Sequence, residues 1–454
     1  MNRDRLTRRW KSSTSKKNRL KSFGGLTFFK DYTNNFVTAD YSVGSPTGTF
    51  TRSACDCTYV DGNGVLQKVT AANIPRFQGG YYDATGFHVQ SGLMIEAAAT
   101  NLLIRTDGTA SGSGKWTGWL EALGTINGTE VYTQVAIPEL TAISGAYAQR
   151  IQYTGVAADD GTPDILFYNT TSTAVGSVTQ GDKVTVSAWL KGSSTNVIVE
   201  FVILERDAGD NYLTSQGSSA LQSSISSTEW RRFSHTFTVG HAGCSRVNFA
   251  VRARDFAEGD TVDMHIYGAQ AEASPYATSW IPTAAAAATR NAETLTYLTA
   301  SNRTAATESV FIKFAPESAF ANDGVYRLLT TTDTKQRFIG KADTGTSIIG
   351  YPNLTDDIAC GTVCSTTPAA NTSYVYAMIA KAAGTQGMTG YLDGTNEGGS
   401  DAATYTSNAW GTKFWIGSSN GGIYQLNGII QKIAIFSDVK DTTEVGTITD
   451  ILNS

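Results

Sequence analysis

The chain has 454 residues, enough for two to four domains that each bury a core of their own. Only 17% of residues are charged, 45 are Gly and the formal net charge is -5. That composition, rich in turn formers and poor in helix formers, points to an all-β protein. It also argues against nucleic acid as the main partner, because phosphate binding needs a basic surface.

Residues 1–23 read as a basic arm. Arg3, Arg5, Arg8, Arg9, Lys11, Lys16, Lys17, Arg19 and Lys21 face a single acid, Asp4. Removing these from the totals of 35 basic and 40 acidic residues leaves 26 against 39 for the remainder. Arg8 and Arg9 invite an export-signal reading, but polar residues follow where an apolar stretch is needed. A nucleic-acid arm remains the alternative to a docking peptide that is extended until it binds an acidic groove. No run of about 18 apolar residues is present, so no membrane span is expected.

Residues 24–104 carry aromatic and β-branched runs broken by turns such as Gly62-Asn63-Gly64, and form an N-terminal β segment. Cys55 and Cys57 are too close for a zinc knuckle, and Cys360 with Cys364 could close a small loop if oxidised; buried or free thiols are the expectation. Asp159, Asp160 and Asp164 could gather calcium in a loop, against the alternative of an ordinary acidic turn. No other cofactor is expected.

Residues 105–283 read as a β-sandwich. In GDKVTVSAWLKG, Val184, Val186, Ala188 and Leu190 share one face and Trp189 lies on the other. NVIVEFVILERD is apolar on both faces, as in a covered central strand. RVNFAVRARD puts Val247, Phe249, Val251 and Ala253 inward and Arg246, Asn248, Arg252 and Arg254 outward. Residues 284–305 read as a linker. Residues 306–454 form a second strand series, in which Asp393-Gly394 suits a hairpin turn. Asp441 and Glu444 form a capping box before a short helix. The economical architecture is two β-sandwich (jelly-roll) domains in series behind the N-terminal attachment segment.

Glycoside hydrolysis needs two carboxylates facing one cleft, yet Glu200 and Glu205, five apart on NVIVEFVILERD, face opposite ways. No HExxH, GxSxG, Walker or dinucleotide motif occurs. The chain is therefore expected not to be an enzyme. Two groups could hold sugar: Trp189, Arg246, Asn248 and Arg252 on the middle sandwich, and Trp415 and Tyr424 near the turn-rich SSNGG. For both, the alternative is a solvated polar face or aromatics packed inside.

TFTRSA, TYVDGNGVLQ, NIPRF and GLMIEAAATNLL, between residues 49 and 103, resemble in order and spacing a segment of tailed-phage tail-fibre and minor structural proteins. SAWLK, EWRRF and IYGAQAEASPYATSWIPT continue the resemblance, although Tyr267 stands where Trp is common and Cys55-Asp56-Cys57 replaces small or polar residues. It implies a carbohydrate-binding-module-like jelly roll over residues 105–283 and a concanavalin A- or laminin-G-like sandwich over residues 306–454. By the same resemblance the protein would belong to the virion, assembled in the host cytoplasm. The arm would dock it to capsid or tail proteins. The sandwiches, in a homo-oligomer such as a trimer, would adhere to host-surface glycans or serve a purely architectural role.

Overall fold

The computed structural model describes residues 15–454 except 35–36, 105, 107–113, 124–127, 145, 156–163, 170–174, 304–306, 319–325, 332–337, 342–346, 352–361, 381–387, 399–410 and 420–423. The fold is all-β, and its named strands pair antiparallel.

One sandwich packs a five-stranded sheet on a six-stranded one. The first runs in the order Gly128–Ala136, Tyr147–Gly155, Thr261–Glu272, Lys183–Ser194 and Arg231–Thr238. The second runs Tyr212–Gly217, Ile198–Arg206, Arg246–Arg254, Asp164–Asn169 and Trp119–Leu123, with Val175–Gly176 beside Arg246–Arg254. Alternation dictates which side chains meet between them. Val184, Val186, Ala188 and Leu190 from one sheet pack with Val247, Phe249, Val251 and Ala253 from the other.

The other sandwich recruits strands from both ends of the sequence. Its larger sheet runs Tyr41–Ser42, Leu26–Asp31, Gly428–Phe436, Glu308–Pro316, Tyr374–Ala380, Met388–Leu392 and Thr395–Gly398. The hairpin Phe77–Asp83/Gly86–Ile95 joins it through Gly428–Phe436. The facing sheet includes Tyr326–Thr331, Lys413–Ile416, Thr294–Leu298 and Thr49–Thr51. Residues 24–104 are therefore no unit apart, and residues 284–305 are not a bare linker, since Thr294–Leu298 is a strand between Thr49–Thr51 and Lys413–Ile416. A local reading of residue patterns misses this because the partners lie hundreds of positions away.

The outer face of the larger sheet is covered by two helices. Residues 15–21 are helical, and Leu20, fully buried, joins Phe29, Phe311, Val445 and Ile448 in one apolar cluster. The expectation of an extended arm is thus corrected for these residues: an apolar side chain with a matching groove folds onto the body. The helix Thr442–Asn453 starts with the expected capping box, Asp441 Oδ1 accepting from Glu444 N at 2.9 Å and Glu444 Oε2 from Asp441 N at 3.0 Å. Asp393 and Gly394 take φ of 48° and 82° at the expected hairpin turn.

Cys55 and Cys57, too close for a zinc knuckle, are joined in a disulfide, a pairing that sequence reasoning did not raise. Cys364 is a buried free thiol, and Cys360 lies outside the described residues.

Candidate functional site

The residues proposed for sugar binding fall into three places. Trp189 does lie opposite the sandwich core, but it is 1% exposed. The hairpin carrying Tyr82 and Phe87 covers it, and Trp280 and Tyr267 pack beside it in a second core. Gly268 permits this packing: it has φ +60°, and a Cβ there would sit 2.7 Å from the Trp189 ring. Trp189 thus has no face to offer a sugar, a correction that follows from a covering element far away in sequence. Trp415 is also buried, at 9% exposure, on Lys413–Ile416. Tyr424 is 43% exposed, with the Arg327 guanidinium 5.2 Å from its ring centre.

Arg246, Asn248 and Arg252 do share one outward face, that of the six-stranded sheet. Arg252 and Arg254 both donate from Nε to Glu200 Oε1 at 2.8 Å. Across the sheet, Asn248 accepts from Arg206 Nε at 2.7 Å and donates to the Asn169 carbonyl at 2.8 Å. Between these polar groups, strand register sets a row of Leu120, Tyr168, Ala250 and Val202. Val202 and Ala250 are covered, Tyr168 is half-buried and Leu120 is 47% exposed. Tyr212, opposite Arg206 in register, is 57% exposed. Sequence reasoning missed Tyr168, Tyr212 and Leu120. The alternation of Ile165 and Phe167 inward against Leu166 and Tyr168 outward was the available signal.

For the calcium expectation, Asp159 and Asp160 lie outside the described residues, and Asp164 opens the strand Asp164–Asn169 with its backbone paired to Arg254. Among the described residues no three His, Cys, Asp or Glu side chains gather as metal ligands. Of the docking residues, Arg3, Arg5, Arg8, Arg9 and Lys11 lie outside the described residues. Lys16 stands 3.8 Å from Asp31 and Lys21 lies 4.0 Å over the Tyr41 ring, while Lys17 and Arg19 share the same short helix.

The quoted motifs converge elsewhere, in a buried ionic cluster where the sandwiches join. Arg52 of TFTR, Arg76 of NIPRF, Glu96 of GLMIE, and Arg290 and Glu293 are each no more than 1% exposed. Arg76 Nη2 donates to Glu96 Oε2 at 2.5 Å, and its Nη1 reaches the Thr58 carbonyl at 2.8 Å and Ser279 Oγ at 2.7 Å. Arg52 Nη1 reaches Glu293 Oε1 at 3.2 Å, and Arg290 Nη1 stands 3.2 Å from Glu96 Oε2. Burial alone would raise the Glu96 carboxyl, but Arg290, Arg76 and the bonds from Ser279 hold it well below the usual carboxylate range. Glu317 is opposite: burial, and then the neighbouring Glu96, push its carboxyl well above that range. The cluster is a structural tie, and it borders a cleft of about 130 Å³ lined by Tyr59, Tyr81, Asp83, Arg232, Glu317 and Asn371 among others.

No protein-family model matches the chain, and no curated protein does. Among solved structures, it is similar to the enzymatically active domain of tailspike protein 4 from bacteriophage CBA120, at 10% identity and TM-score 0.27, over 38% of this chain and 21% of that one. It is similar to the CBM22-1 xylan-binding domain from Paenibacillus barcinonensis, at 15% identity and TM-score 0.25, over 39% and 96%. It is also similar to Trypanosoma rangeli sialidase, at 9% identity and TM-score 0.27, over 94% and 97%. The chain spans about a fifth of the length of the tailspike structure. Likeness this distant assigns neither ligand nor activity. Glycosidases and an enzymatically active tailspike domain stand among these structures, and the expectation that the chain is not an enzyme is accordingly not kept.

Proposed function

We propose that the chain is a structural protein of a tailed-phage virion, a fibre, spike or decoration component, and that the outward face of its six-stranded sheet binds host-surface or environmental glycans. The observation that carries the glycan reading is the Leu120–Tyr168 apolar strip, framed by Arg252, Arg254 and Glu200 on one side and Arg206 and Asn248 on the other. An aromatic ring and aliphatic neighbours suit the C–H face of a pyranose, and prearranged charged donors beside them suit hydroxyls and acidic substituents. The virion reading rests on the ordered motifs between residues 49 and 283 and on the basic arm. Assembly as a homo-oligomer, such as a trimer, would turn weak single contacts into useful avidity.

A glycan array probed with the full chain at avidity-level concentration tests the first part. Binding that falls at least tenfold in Tyr168→Ala is expected, and an array without any binding sinks the glycan reading. Incorporation into purified particles tests the second part. The chain should appear in virions, and a variant with Arg3, Arg5, Arg8, Arg9 and Lys11 changed to Ser should be left out.

A further inference from the structure

The cleft beside the ionic cluster is separate from the outward sheet face, and its walls come from both sandwiches. Arg232 and Ser234 come from the five-stranded sheet, Tyr81 and Asp83 from the hairpin, and Glu317 and Asn371 from the second sandwich. Its volume of about 130 Å³ is close to the roughly 150 Å³ of a cavity that takes one benzene, so it has the room of one six-membered ring.

The chemistry of its floor is unbalanced. Arg232 lies over the Trp189 ring at 4.7 Å, and its Nη2 donates to Ser187 Oγ at 3.2 Å and to the Thr278 carbonyl at 2.7 Å. Its Nε is buried without a hydrogen-bond partner among the described residues. Among the described residues no carboxylate is in direct ion-pair contact with the guanidinium, although Glu317, Glu272 and Glu96 act on it from farther away. Glu317, also lining the cleft, has Oε2 buried without a partner. Burial, and then Glu96, push its carboxyl well above the usual carboxylate range, with Arg232 acting the other way. A largely buried guanidinium whose nearby carboxylates make no direct ion pair with it is costly, and a carboxylate is the group whose planar geometry matches it. At the mouth, Tyr81 stacks on His88 with ring centres 5.0 Å apart, and Asp83 is held by Thr85 and His88. These supply a flat wall and a hydroxyl acceptor.

We propose that this cleft is a second binding site, for a single hexuronate unit, with the sugar carboxylate on Arg232, the ring against Tyr81, and ring hydroxyls on Asp83 and Asn371. The site would read acidic sugars independently of the outward face.

The test titrates the full-length chain with sodium galacturonate and, separately, with galactose, following tryptophan fluorescence, because Trp189 and Trp280 line the cleft. Galacturonate should bind at least tenfold more tightly than galactose. Arg232→Gln should lose at least tenfold in galacturonate affinity, Tyr81→Ala several-fold, and Tyr168→Ala on the outward face should bind as the parent does. Equal affinity for the two sugars, no binding of galacturonate, or unchanged affinity in Tyr81→Ala would each overturn the proposal. Should Arg232→Gln fail to fold, the sugar comparison and Tyr81→Ala decide alone. Array binding lost only with Tyr168→Ala concerns the outward face, so the two readings fail separately.

Discussion

Arg76 and Glu293, 217 positions apart, meet through two parallel hydrogen bonds, Nε to Oε1 at 2.8 Å and Nη2 to Oε2 at 2.6 Å. Both side chains are fully buried. The pair links the approach to the hairpin Phe77–Asp83/Gly86–Ile95 with the segment that leads into Thr294–Leu298. Losing one partner of such a pair strands a buried charge, which costs more than the pair contributes over an apolar replacement.

Arg76→Met should therefore destabilise the protein by about 3 to 5 kcal/mol, read as a lower urea midpoint. A loss below about 1 kcal/mol would place the cluster among the weak, solvated ion pairs instead.

Leu20 is the apolar anchor of the first described helix. Leu20→Ala should cost about 2 to 3 kcal/mol, as for other buried leucines. Hydrogen exchange should then speed up in Thr442–Asn453, which shares the cluster. Unchanged exchange in that helix would show that the contact carries no stability.

Asp441→Ala removes one half of the capping box and should cost about 1 kcal/mol. Asp441→Asn keeps the acceptor and should cost less. Circular dichroism melts of the two variants side by side decide this.

Protonation at the junction gives a signed pH effect. Burial, and then Glu96, raise the Glu317 carboxyl in the folded chain. Its contribution to stability is fully present below the ordinary carboxylate pKa of about 4.3 and is lost as pH rises through the folded value. Glu317→Gln cannot ionise, so its melting temperature should gain on the parent as pH climbs from 4 upward. Glu96, held low by Arg290 and Arg76 despite its burial, acts in the reverse sense. Its stabilisation is present above about 4.3 and is lost as pH falls toward the folded value. A pH-independent difference between parent and Glu317→Gln would refute the assignment.

What the residues revealed in advance was local. The capping box at Asp441, the turn at Asp393-Gly394 and the inward set Val247, Phe249, Val251 and Ala253 depend on neighbours within a few positions. Trp189 shows where such reasoning stops. Its alternation was read correctly, but the Tyr82 and Phe87 rings cover the face it points to, turning an outward position into core. Arg52, Arg76 and Glu96 were visible as motif letters, but nothing in their spacing says that Arg290 and Glu293 complete the cluster. The same holds for the outward apolar strip, because Leu120 becomes Tyr168's neighbour only through strand register.

The pairing of Leu26–Asp31 with Gly428–Phe436 also sets a timetable for biosynthesis. Thr27 Oγ1 donates to the carbonyl of Ile435, 408 residues later. At ribosomal rates of about 5 to 20 residues per second, the first strand waits on the order of 20 to 80 s for its partner. Throughout that interval Phe28 and Phe29, both fully buried in the finished protein, have no sheet to enter. The middle sandwich can close on the nascent chain, while the other closes only after release of its last strands. The early-made strand is then an exposed edge that chaperones would shield and that crowded synthesis would place at risk of pairing with a neighbouring chain.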